Sequence, residues 1–147
     1  MKKLIPIISV ILAVTAIFTL ACSGGGSNDT NATIGTKVNV EGGSYTSINS
    51  AELYQMLQNK DFTLVNTDPM PNLAIPDTDL FIPHNDLLED PSLVSQNKAE
   101  KIVIYCMIGS NSSVVAEEFA KMGFSDIYNL AGGIVGWQQQ GYQVVTP

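Results

Sequence analysis

Residues 102–105 read Ile-Val-Ile-Tyr, and no other stretch restricts the fold more. Successive side chains of a strand point to opposite faces, and here both faces are apolar. A strand with one wet face would alternate polar with apolar, so this one must be covered on each side. That is the condition of a central strand in a parallel sheet. Residues 112–122 then follow helical spacing, with Val114, Val115, Phe119 and Met122 expected inward and Gly123 as the stop. Parallel strands need a crossover between them, usually a helix, so the strand at 101–106 and the helix after it imply α/β layering.

The remaining elements repeat that alternation. YTSI at 45–48 is expected as a first short strand. Asn49 and Glu52 have the spacing of a capping box, opening a helix through SAELYQMLQN with Leu53, Met56 and Leu57 on one face. FTLVN at 62–66 is a buried strand, the proline-rich TDPMPNLAIPDTD is loop, and LFIP at 80–83 is a short strand. NDLLEDPSLVSQN makes one or two short helices broken near Pro91. DIYNL at 126–130 is the last core strand, and AGGIVGWQQQGY makes a glycine turn, a short helix carrying Trp137 and a stop at Gly141. The expected class is α/β, one domain built on an open parallel sheet with helices on both faces.

The N-terminus is a separate matter. Met1-Lys2-Lys3 is basic, and the 18 residues from Leu4 to Ala21 carry no charge before Cys22. This is the layout of a bacterial lipoprotein signal, with residues 1–22 as signal and Cys22 as the lipidated residue of an exported, envelope-anchored protein. An uncleaved anchor is the other reading, since such a run can just span a bilayer. Residues 23–44 are rich in Gly, Ser, Asn and Thr without hydrophobic periodicity, and are expected to be a flexible tether. The domain is then 45–147. All seven basic residues are lysines, and losing Lys2 and Lys3 takes the formal charge from −7 to −9. Seven of the fourteen acids lie between Asp61 and Asp90. Nucleic acid is therefore excluded as a partner, because phosphate binding needs clustered cations. Contact with the membrane is expected through the N-terminal lipid, not through an acidic domain surface.

If Cys22 carries lipid, Cys106 is the only thiol left and no internal disulfide forms. Cys106 ends the central strand, where open parallel sheets bind their ligands. The loop after it feeds a helix N-terminus near Asn111 or Ser112, where unpaired amides and the helix dipole favour an anion. Gly109, Ser110, Ser112 and Ser113 let the backbone curl closely around whatever the sulfur carries. A free cysteine is also a common core residue. Thioredoxin-type chemistry needs a second cysteine where Gly109 stands, and a cysteine phosphatase needs an arginine where Ser112 stands. His84, the one histidine, reads as a loop residue or a general base, and no His or Cys lies at metal-ligand spacing.

The segment IYNLAGGIVGWQQQGY, the loop CMIGSNS with Cys106, Gly109 and Ser112, LVN at 64–66 and IPDTDLFIP at 75–83 together resemble the rhodanese-like sulfurtransferases over about 100 residues. The resemblance implies a five-stranded parallel sheet with helices on both sides. It makes Cys106 the nucleophile that takes a sulfane sulfur as a persulfide, with the backbone from Met107 through Ile108, Gly109, Ser110 and Asn111 to Ser112 as its cradle. No cofactor is implied, and the partner is a small sulfur-containing substrate or a protein thiol. Two loop arginines of the family pattern are absent, replaced by Met107 and Asn111. Lys101 lies about 16 Å along the strand from Cys106, and Lys121 about 13 Å down the helix from Ser112. Polysulfide or thiol persulfides are therefore expected as donors in preference to dianionic thiosulfate. The competing expectation is a non-catalytic binding or sensing module on the same fold.

Overall fold

The computed structural model describes residues 33–147. The signal at 1–22, Cys22 and the first part of the tether lie outside the described residues. Six strands form one sheet: β1 (Thr36–Val40), β2 (Gly43–Ile48), β3 (Thr63–Asn66), β4 (Leu80–Phe81), β5 (Ile102–Tyr105) and β6 (Ile127–Leu130). Their order is β1-β2-β6-β5-β3-β4. The five strands from β2 to β4 run parallel, and β1 joins antiparallel at the edge. The five-stranded parallel sheet is thus present, and β5 is its centre.

Helices α1 (Ser50–Leu57), α2 (His84–Glu89), α3 (Ser110–Lys121) and α4 (Gly133–Gln139) cover it, with a 3-10 turn at Pro91–Leu93. The doubly apolar character of β5 is explained by where its residues go. Val103 and Tyr105 meet Leu53 of α1 and Ile134 and Trp137 of α4 on one face. Ile102 and Ile104 meet Leu87 of α2 and Val115 and Phe119 of α3 on the other. Each such side chain, fully buried, contributes about 1.5–3 kcal/mol relative to exposure.

Two expectations are corrected. The tether does not extend to residue 44, because Thr36–Val40 pairs along β2 from Thr36–Ser47 to Val40–Gly43. Backbone ladder bonds hold this strand, and they leave little trace in a sequence whose side chains are half exposed. The α3 helix starts at Ser110, earlier than expected, and its buried stripe is Val115, Ala116, Phe119 and Ala120. Val114 and Met122 are exposed instead. The helix closes as a Schellman motif: Gly123 N–H donates to Ala120 O at 3.0 Å and Phe124 N–H to Phe119 O at 3.0 Å, with the two rings stacked.

Candidate active site

β5 delivers Cys106 to the carboxyl-end rim of the sheet. The Tyr105 carbonyl just before it accepts from Thr67 N–H at 2.8 Å and from the Thr67 hydroxyl at 3.1 Å. The Tyr105 phenol is pinned by Thr78 Oγ1 at 2.6 Å and Ile75 N–H at 3.1 Å. Burial pushes that phenol above its ordinary pKa, against the opposing pull of these hydrogen bonds, so it stays neutral here.

Beyond Cys106 the chain turns sharply into α3. Gly109 is the N-cap of α3 with φ +89°, and its N–H donates to Cys106 Sγ at 3.1 Å. Ser112, fully buried, has its Oγ 3.6 Å from Sγ and 3.2 Å from the Gly109 carbonyl. One hydroxyl proton serves one acceptor at a time, so Ser112 can turn to the sulfur when negative charge develops there.

The other half of the site comes from AGGI. Ile134 N–H donates to Cys106 O and Val135 N–H to Met107 O, both at 3.0 Å. The first turn of α4 therefore clamps the cysteine loop. The approach is close enough that a Cβ on Gly133, at φ +55°, would sit 2.2 Å from Cys106 O and 2.8 Å from Gly109 N. Gly109 faces the same constraint from the other side, its Cβ position lying 2.9 Å from Gly132 N. Gly132 and Gly133 pack against the cysteine loop, whereas the sequence reading placed them in a turn and in the family-like segment without a role beside Cys106. The signal was the glycine pair itself, both members of which adopt a positive φ.

The expected cradle is thus partly assembled. Cys106 is 2% exposed, with Gly109 and Ser112 turned onto its sulfur. Met107 is half-buried against the α1–α4 core, Ile108 is 61% exposed as an apolar lip, and Ser110 and Asn111 stand on the first turn of α3. Among the described residues, no hydrogen bond joins Met107, Ile108, Ser110 or Asn111 to Sγ. Amides in the first turn of a helix have no intrahelical acceptor, so the helix itself leaves those of α3 unpaired beside the cysteine.

Asn66, at the end of β3, is held within its own loop. Its Nδ2 donates to Leu73 O at 3.3 Å and its Oδ1 accepts from Asp68 N–H at 2.9 Å, shaping the loop after β3. His84 opens α2, with its N–H on Thr67 O at 3.0 Å and a buried Nδ1 that has no partner among the described residues. Four of the five lysines among the described residues are engaged elsewhere: Lys101 with Asp61, Lys60 with Asp79, Lys121 with Glu117 and Glu118, and Lys98 with Met122 O, while Lys37 lies on the edge strand β1.

Comparison with known proteins agrees with this geometry. The family model for the rhodanese-like domain matches residues 49–140. A protein named sulfurtransferase from Allochromatium vinosum is 34% identical over 50 residues, which is 34% of this chain and 47% of the relative. The match therefore spans about half of that relative's length. A rhodanese-related protein from Thermoplasma volcanium superposes with a TM-score of 0.57 at 27% identity, covering 67% of this chain and 96% of that one. A rhodanese-like domain protein from Staphylococcus aureus does so with a TM-score of 0.54 at 30% identity, covering 68% and 98%. With the sheet, the cysteine loop and the clamping glycines all in place, the chain belongs to the rhodanese-like domain family.

Proposed function

We propose that this domain is a sulfurtransferase that carries sulfane sulfur as a persulfide on Cys106. The thiolate attacks the sulfane sulfur of a donor, a new S–S bond forms at Sγ, and the donor's S–S bond breaks. The electron pair leaves with the donor's remaining sulfur. An acceptor thiolate then attacks the outer sulfur and Sγ leaves as thiolate, so no outside oxidant or reductant is needed. The observation that carries this reading is the aim of the Gly109 N–H and the Ser112 hydroxyl at Sγ. Both donors stabilise the anion that begins and ends the cycle.

The donor is a polysulfide or a thiol persulfide. The loop offers neutral donors and the apolar Ile108 but no fixed cation, so thiosulfate is held weakly and shows a high KM. The N-terminal layout ending at Cys22 supports an exported lipoprotein, with the domain working outside the cytoplasm beside its membrane.

The burial of Cys106 and the absence of arginine also favour a second reading, a binding or sensing module without turnover. Intact-mass spectrometry after incubation with polysulfide separates the two. Loading adds about 32 Da, one sulfur atom, lost on dithiothreitol treatment and absent in Cys106→Ser. An unmodified wild-type mass, with Cys106 no more reactive to alkylation than a core thiol, would sink the carrier reading.

A further inference from the structure

A cavity of about 420 Å³ lies where the N-terminus of α1 meets α4, lined by Asn49, Ser50, Ala51, Gly136, Gln139 and Gln140. Its size is that of a small-ligand site, and none of its lining residues belongs to the cysteine loop. The first-turn amides of α1 can be accounted for one by one. Asn49 N–H donates to Glu52 Oε2 at 2.7 Å, Glu52 N–H to Asn49 Oδ1 at 3.0 Å, and Leu53 N–H to Asn49 O at 3.0 Å. The amides of Ser50 and Ala51 are left without an acceptor among the described residues.

A second, independent feature points to a ligand. Ser50 is 5% exposed, yet its hydroxyl makes no hydrogen bond to any described residue, and it lines the cavity opposite Gly136. A Cβ on Gly136 would lie 3.7 Å from Ser50 Oγ, so the hydroxyl faces the space that the missing side chain leaves. Gln139 and Gln140, both exposed, complete the lining.

The chemistry of this set is donation without fixed positive charge. Ser50 and Ala51, with two unpaired amides and a hydroxyl, line the cavity together with Gln139 and Gln140, while no lysine does. The Glu52 carboxylate, in the same first turn and held by the Asn49 and Gly35 N–H groups, weighs against a dianion. A planar monoanion with two acceptor oxygens meets both conditions. We propose that this cavity binds the carboxylate of a small organic acid, one oxygen on the Ser50 and Ala51 amides and the other on the Ser50 hydroxyl.

The test is an amide-resolved NMR titration of the full chain with acetate, acetamide and sulfate in parallel. Acetate is expected to give saturating shifts at Ser50 and Ala51 in the millimolar range, with acetamide giving none and sulfate binding more weakly. Ser50→Ala should weaken acetate about tenfold, the loss of one hydrogen bond to a charged acceptor. Gly136→Ala places a methyl in the cavity at ordinary contact distance, 3.6 Å from Ala131 O, and should weaken acetate at least as much while the fold is kept. Non-saturating shifts, an equal response to acetamide, tighter binding of sulfate, or an unchanged affinity in both variants would each overturn the assignment. Cys106→Ser should bind acetate as the wild type does; a loss there would show that the cavity is not a separate site.

Discussion

At Gly133 an added methyl has nowhere to go, because the space belongs to the backbone of the cysteine loop. Gly133→Ala is expected to lower stability by more than about 2 kcal/mol, through a forced positive φ and a backbone overlap that no rotamer relieves. Chemical denaturation measures that loss, and a variant of wild-type stability that still loads sulfur would show the clamp to be dispensable. The placing of Cys106 just past a buried strand was legible in the sequence because the apolar run Ile102–Tyr105 ends there. Its 2% exposure was not, since burial depends on Ser112 and the first turn of α4 folding over it. Asn66 and Thr67 show the same limit, because their partners lie on Leu73, Asp68 and Tyr105 and only the fold brings them near.

Elements were legible in proportion to how local their signals are. The capping box of α1 is made by Asn49 and Glu52 as the spacing implies, and Asn49→Ala is expected to cost about 1 kcal/mol, read as a fall in the denaturation midpoint. The break at Pro91 and the turn at Gly123 are likewise sequence-local and stand where expected. The start of α3 was misjudged because Gly109 at φ +89° caps it without any side-chain bond, leaving no capping residue to read. The segment before β5 shows a pH effect of its own. Glu100 accepts from the Ser95 hydroxyl at 2.5 Å and from the Thr63 hydroxyl at 2.7 Å, tying that segment to β3. These bonds, Ser95 first, hold its carboxyl below the ordinary pKa. A depressed folded value means stabilisation that is present above the unfolded pKa and lost as pH falls through the folded one. Glu100→Gln should therefore melt below the wild type at neutral pH, with the gap closing in acid. A gap independent of pH would remove the electrostatic explanation.

Across the whole molecule, β1 is the element that reading by segment could not find. It closes one edge of the sheet by pairing antiparallel with β2, and Gly35 N–H reaches Glu52 Oε1 at 2.9 Å. Removing residues up to Val40 should leave the parallel sheet folded but lower its melting temperature by several degrees and expose β2 as an unpaired edge. Unchanged melting and unchanged solubility would mean that the edge needs no cover. The amino-acid order alone determined the α/β class, the central position of β5, the family resemblance and the placing of Cys106 at the carboxyl-end rim. It could do so because periodicity, prolines and caps act between residues a few positions apart. The tertiary structure decided that β1 joins the sheet, that Gly133 and Ser112 shape the sulfur site, and that Ser50 faces a cavity. The contacts of Gly133 and Ser50 join segments tens of residues apart, which meet only when the sheet brings them together, while β1 pairs with its neighbour β2 through backbone bonds that the side-chain pattern does not record.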